Sequence, residues 1–327
     1  LALPASGVIA PTAYDTAWVA RIPHPTKTIP LFETSLDWLL EHQHRDGSWG
    51  ARVTYHHDRL QSTLRAVLTL AYWQNKQGHG KWKERIDSAV RAIWRHASWL
   101  RRDPYEPIGF ELILPTLAVE AQDLGIDLPR RALEPVLRLR EEKLAHFPLD
   151  LIYSDKTTLS FSAEFLGNDM DAKRMASALD PQGSLGISPS ATAFYSIHDP
   201  TSSSSLDYLA KVLARGNGAA AALDPIDVFE ASWLLYNVLL VWPNGSELEA
   251  LVDRRAVARA YCTAGSKIAT NAATMAITTK SSTSVNARRR AVDNGRDAMN
   301  APLNKLLKGM VARLEIRRSW RLSGSTS

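Results

Sequence analysis

Gln43-His44-Arg45-Asp46-Gly47-Ser48-Trp49-Gly50 is the stretch from which the fold is read. It follows apolar positions 32, 36, 38 and 39 within residues 31–44, a spacing that predicts a helix. Asp46-Gly47 then breaks that helix. The glycines permit a tight turn, and Trp49 is large enough to plug it into a neighbouring hairpin. The Gln43 amide can bond free backbone groups at a helix end. Asp180-Pro181-Gln182-Gly183-Ser184-Leu185-Gly186 has a similar pattern, with Leu in the place of Trp. Outward from these two turns, helical periodicity recurs over 59–76, 82–100, 110–123, 130–144, 171–179, 189–197, 203–214, 226–241 and 248–260. A short apolar helix is expected at Ala13–Ala20. Apolar alternation at period two is scarce, so no sheet is indicated. The expectation is an all-α chain of helical hairpins, closed into a barrel or left as an open superhelix.

The 327 residues are 45% hydrophobic and 22% charged, which suits a soluble globular protein with room for two domains. No apolar run has the length of a membrane span, and the longest, Trp233–Trp242, reads as a helix core. No charged segment leading into an apolar one opens the sequence, so no secretory signal is expected. The lone Cys262 rules out an internal disulfide and points to a reducing compartment such as the cytoplasm. Charge is unevenly spread. Residues 251–327 carry 15 Lys/Arg against 4 Asp/Glu, whereas the rest of the chain is net acidic. Such a tail invites a nucleic-acid reading. Its scattered basic residues and few aromatics for base stacking weigh against that reading.

Pro11-Thr12-Ala13-Tyr14-Asp15-Thr16-Ala17-Trp18-Val19-Ala20 resembles the segment that opens plant and fungal class II diterpene cyclases. Gln43–Gly50 resembles the turn that follows it in that family. Asp58–Leu64, Pro107–Pro115, Gly183–Ala193 and Asp224–Glu230 resemble further family segments in the same order. The wording of Phe229–Asn237 leans towards the fungal copalyl diphosphate/kaurene synthase type. The resemblance implies a terpenoid-cyclase-like helical barrel, the γ domain, inserted into an incomplete second helical domain, the β domain. Residues 1–30 would open the β domain and 31–222 would form the γ domain. Residues 223–250 would resume the β domain, followed by an atypical basic tail at 251–327.

The resemblance also implies a chemistry: protonation of geranylgeranyl diphosphate and its cyclisation to a copalyl-type diphosphate. Alkenes are weak bases, so the acid must stay neutral in a dry pocket, as clustered carboxylates allow. The family uses Asp-x-Asp-Asp. This sequence contains no such motif, and residues 254–292, where it is expected, hold no Asp or Glu. The class I motif Asp-Asp-x-x-Asp is absent too. We therefore assign no catalytic residue and expect a chain truncated or frame-disrupted near 240–265, inactive alone. The alternatives are a catalytically dead helical scaffold and, less favoured, a basic-tailed nucleic-acid binder. Mg2+ is implied by the family, with Asp103 and Glu106, just before Pro107-Ile108-Gly109-Phe110-Glu111, as its candidate ligands. A solvated acidic turn is the competing reading there. Asp15 is expected as a helix cap, and Glu164 as structural. Trp18, Trp38, Trp49, Trp73 and Trp94 are expected in the core. His56-His57 are expected in solvent, because adjacent helical positions point apart.

Overall fold

The computed structural model describes residues 10–225, apart from 79, 108 and 158. The helices expected at 226–241 and 248–260, nearly all of 223–250 and the basic tail lie outside the described residues. The described residues fall within one compact unit. Among them the structure is helical, with only isolated bridges such as Pro23 to Pro30 and Leu179 to Leu185.

α1 spans Ala13–Val19 and all seven of its residues are buried. Thr12 is its N-cap, accepting from the Asp15 backbone N–H at 3.1 Å. α2 spans Glu33–Glu41. α3, His56–Gln77, is the long central helix, buried on most faces from His57 to Trp73. It ends where Gly78 adopts a left-handed φ of 70°. α4, Lys83–Trp99, packs along α3 with Ile86, Ala89, Ile93 and Ala97 inward, a three- and four-residue spacing. α5, Phe110–Asp123, and α6, Arg130–Leu144, form the next antiparallel pair. α7, Ala172–Met175, is a single turn. α8, Pro189–His198, begins on a Ser188 cap with Pro189 in its first turn, and α9, Ser203–Arg215, packs against it.

The two turns noted in the sequence are built alike. The His44 N–H donates to Ser48 O at 2.8 Å, and Asp180 N–H donates to Ser184 O at 2.9 Å. Gly47 N–H donates to His44 O, and Gly183 N–H to Asp180 O. The plug residues Trp49 and Leu185 are fully buried, and their N–H groups donate to the hydroxyls of Thr63 in α3 and Thr192 in α8. Gln43 fulfils its expected part, donating to Gly47 O and Arg85 O. Gln182 does not use its side chain in this way. In both turns an aspartate, Asp46 or Asp180, closes the loop on the following serine instead.

Two departures have clear causes. The helix expected over 171–179 divides into α7 and a 3-10 turn at Ala176–Ala178. Segments Leu149–Tyr153 and Leu159–Asp169 are 3-10 turns that the α-helical period does not signal; the first is five residues long, and the second is broken by non-helical backbone at Ser162 and Gly167. Trp18, Trp49 and Trp73 are buried as expected, and Trp38 is partly so. Trp94 is 46% exposed, because α4 turns Ile93 and Ala97 inward and leaves position 94 at the edge of that face.

Gly47 and Gly183 both have positive φ, 88° and 86°, and each presses on the second helix after its turn, α4 and α9. A Cβ at Gly47 would lie 2.6 Å from Ser88 O in α4, and one at Gly183 would lie 2.4 Å from Ser204 O in α9. Backbone atoms cannot swing aside. Gly47→Ala and Gly183→Ala should each destabilise by about 2–4 kcal/mol, combining left-handed strain with overpacking. Gly78→Ala is the control, because its Cβ would meet nothing within 4 Å. Thermal unfolding should show a clearly smaller loss for Gly78→Ala than for either of the others.

Candidate functional site

Three polar clusters among the described residues bear on the sequence-derived site candidates or on a cavity. The first surrounds α1. Tyr14 Oη donates to Glu164 Oε1 at 3.0 Å, and Thr12 Oγ1 donates to Asp15 Oδ2 at 2.5 Å. Asp15 and Glu164 are 5% and 2% exposed, and Ser190 of α8, also buried, lies close to both. Glu164 Oε2 and the nearby chain's Ser160 Oγ are buried without partners. Burial is the main force raising both acids, Asp15 to about 6 and Glu164 to about 7. Hydrogen bonds pull the other way without prevailing. Two carboxyls sealed together with no cation between them hold protons that exposed acids would lose. Asp15 is not the cap expected of it. Thr12 takes that position, and Asp15 sits three residues on, its carboxylate returning to the Thr12 hydroxyl.

The second cluster joins α3, α4 and the loop before α5. His57 is buried, and its Nδ1 and backbone N–H both meet Asp103 Oδ2, at 2.7 and 2.9 Å. Asp103 thereby tethers this loop to the first turn of α3, where a negative charge is favoured. His56 Nδ1 lies 3.0 Å from His96 Nδ1, and Trp99 meets both rings edge-on. The expectation that both adjacent histidines face solvent therefore fails. The hundred-degree step between them turns one towards Asp103 and the other towards α4. Burial holds the His96 pKa below its ordinary value, with Asp46 opposing. Glu106, the second candidate metal ligand, is exposed on the same loop as Asp103. Glu111, also in this region, is buried and paired with Lys143 of α6. Among the described residues no group of three or more His, Cys, Asp or Glu is placed to hold a metal ion.

The third cluster rims a cavity of about 290 Å³ between α6 and the 3-10 turns. Leu144, Leu149, Phe165 and Leu166 line it. Its cations are already engaged. Arg140 donates to Leu112 O, Thr116 Oγ1 and Phe165 O, and Arg174 pairs with Asp150 over the Tyr153 ring. Neither Asp15 nor Glu164 opens onto this cavity.

No family model matches the chain. Its residues nevertheless align with copal-8-ol diphosphate hydratase, chloroplastic, of Nicotiana tabacum at 37% identity, covering 68% of this chain and 28% of that one. Bifunctional levopimaradiene synthase, chloroplastic, of Pinus banksiana is 32% identical over 70% of this chain and 26% of its own. The solved abietadiene synthase from Abies grandis superposes with a TM-score of 0.68 at 30% identity, covering 79% of this chain and 33% of that one. The ent-copalyl diphosphate synthase from Arabidopsis thaliana, solved in complex with (S)-15-aza-14,15-dihydrogeranylgeranyl thiolodiphosphate, gives 0.68 at 29%, covering 79% and 36%. The chain is homologous to the class II diterpene cyclases and shares their helical-barrel fold. It spans less than a third of the length of the curated relatives named here. Among the described residues no helix is long and apolar enough to cross a membrane.

The buried acids set a pH dependence. An acid whose pKa is raised by folding adds stability below its unfolded pKa and loses it as pH rises through the folded value. For Glu164 that window runs from its ordinary 4.5 up to about 7. Glu164→Gln keeps an acceptor for Tyr14 and removes the ionisation. Relative to the parent, this variant should gain on the order of 2–3 kcal/mol between pH 4.5 and pH 8. Urea unfolding at both pH values checks this, and a difference that is flat with pH would refute it.

Proposed function

We propose that the chain is a scaffold portion of a class II diterpene cyclase, built around geranylgeranyl diphosphate for protonation-initiated closure to a copalyl-type diphosphate. The observation that carries the reading is the shared helical scaffold, matched at 29–30% identity to two solved diterpene cyclases. The chemistry then asks for a neutral, strong acid facing a dry cavity. Glu164, raised by burial to about 7, meets the first requirement only in part, and Asp15, at about 6, is largely ionised at neutral pH. Both are buried among α1, α8 and segment 159–169, and neither lines the cavity beside α6. No Asp-x-Asp-Asp is present, and 254–292 is free of carboxylates. On this reading the chain holds the walls of a cyclase, and by itself it does not protonate the substrate.

Mg2+ belongs to the same proposal. This ion commonly keeps several waters and is held by one or two carboxylates together with substrate phosphates. Asp103 and Glu106 on one loop fit that modest requirement, although one Asp103 oxygen is committed to His57. They would hold the ion beside the diphosphate and offset its charge. The single cysteine supports a reducing, cytoplasm-like setting, while the tobacco and pine relatives are described as chloroplastic.

Incubating the full chain with geranylgeranyl diphosphate and Mg2+, followed by phosphatase and gas chromatography, should yield no bicyclic alcohol. A copalol-type product would overturn the inactive reading. Calorimetric titration of Mg2+ in the presence of inorganic pyrophosphate tests the metal part. The exposed Glu106→Gln should weaken binding at least about tenfold, the loss seen even when an outer partner of a metal is removed.

A further inference from the structure

Arg21, just beyond α1, Arg65 of α3 and Glu120 of α5 converge on one small region. Arg65 is fully buried and forks onto Glu120, with Nη1 to Oε2 at 2.6 Å and Nη2 to Oε1 at 3.1 Å. That bidentate pair occupies both Glu120 oxygens. Arg21 is left outside it. Its Nε stands 3.7 Å from Glu120 Oε1, beyond hydrogen-bond reach, and is buried without a partner. The guanidinium lies against the Tyr72 ring, 3.0 Å from its centre. Lys76 Nζ approaches the same ring at 5.7 Å from solvent. Arg65 in turn faces the Trp18 ring at 4.1 Å.

The charge here does not balance. Two arginines share one carboxylate, and a lysine adds a third cation at the rim. Arg21 keeps only the longer ionic contact to a carboxylate that Arg65 already holds bidentately, so part of its charge is left without a close counterion. Neutralisation is not an escape for Arg21. Burial, and then the charge of Arg65, lower its pKa only to about 10, so it stays a cation at neutral pH. The region is also open enough to be reached, since the Arg21 side chain is 16% exposed and that of Glu120 is 27%.

We propose that the partly exposed surface formed by Arg21, Tyr72, Lys76 and Glu120 is a binding site for a small oxyanion, phosphate or carboxylate. The planar guanidinium offers paired N–H groups that match such an anion bidentately, Tyr72 holds its plane, and Lys76 closes the rim. Glu120 does not compete with the anion, because Arg65 already neutralises it. The site is distinct from the Asp103–Glu106 loop and uses none of its residues.

The test uses the full chain at neutral pH and matched ionic strength, with inorganic phosphate and acetate as separate probes. Phosphate should raise the thermal midpoint saturably, and calorimetry should find one site. Arg21→Met keeps an apolar stem on Tyr72 and removes the charge. It should unfold no lower than the parent without phosphate and show no saturable response to it. A stronger response to acetate than to phosphate would assign the site to carboxylates. Lys76→Met, on the exposed rim, guards against misfolding of the first variant. Its phosphate affinity should fall about two- to fivefold, the range of a screened charge pair. Equal responses of the parent and Arg21→Met to both probes, or an unchanged affinity in Lys76→Met, would overturn the proposal.

Discussion

Everything in the described unit is arranged around a seven-residue helix with no face left for solvent. A helix as short as α1 has no stability of its own. Its existence therefore depends on partners at both ends and on every side. Thr12 N–H donates to Ala220 O at 2.9 Å, and Ala220 N–H returns to Thr16 Oγ1 at 3.0 Å. At the other end Thr69 and Trp73 of α3 donate to the carbonyls of Ala17 and Ala20, both at 2.8 Å. These bonds satisfy carbonyls that a helix terminus leaves open. They also join the beginning of the described chain to its end, more than two hundred residues on. The small residues Ala13, Thr16, Ala17 and Ala20 let α3 and α8 approach closely enough to make this possible.

The twin turns impose the second constraint, which is the spacing of the helical hairpins. Each turn spends a glycine where the backbone of the second helix onward, α4 or α9, passes within contact of its Cα, and each buries one large apolar side chain behind it. Each also anchors the plug's N–H on a threonine hydroxyl of the helix it feeds. The distance from plug to threonine differs, fourteen residues in one turn and seven in the other. A sequence comparison at fixed spacing misses that correspondence, although the geometry repeats.

What could be read in advance follows from the range of the forces involved. α5 and α6 begin and end where periodicity and the flanking Gly109 and Pro129 put them, because helix limits are set by neighbours along the chain. The turns were legible for the same reason. The clusters were not. Tyr14 and Glu164 are 150 residues apart, Arg65 and Glu120 are 55, and His57 and Asp103 are 46. No local pattern couples such pairs. The Tyr14–Asp15 motif marked α1 as unusual, yet nothing nearby announced that a second carboxyl would be sealed against it. His57 shows the limit of a sound local rule. Adjacent helical residues do diverge, and here the divergence gave each histidine a different buried partner.

The two sealed acids separate scaffold from catalyst. A carboxyl kept protonated by burial is the chemical species that alkene protonation demands, and burial moves Glu164 furthest in that direction, to about 7, with Asp15 at about 6. What they lack is a surface from which a proton could leave towards carbon. Tyr14 covers one oxygen of Glu164, Thr12 covers one of Asp15, and neither acid lines the cavity beside α6. A proton on Glu164 strengthens the hold on α1 instead, since one neutral acid beside one carboxylate can be buried where two anions could not. Access, and not acidity, decides which of the two tasks a buried carboxyl performs. By that criterion Asp15 and Glu164, both buried against α1, act on the fold: they hold the short helix in place.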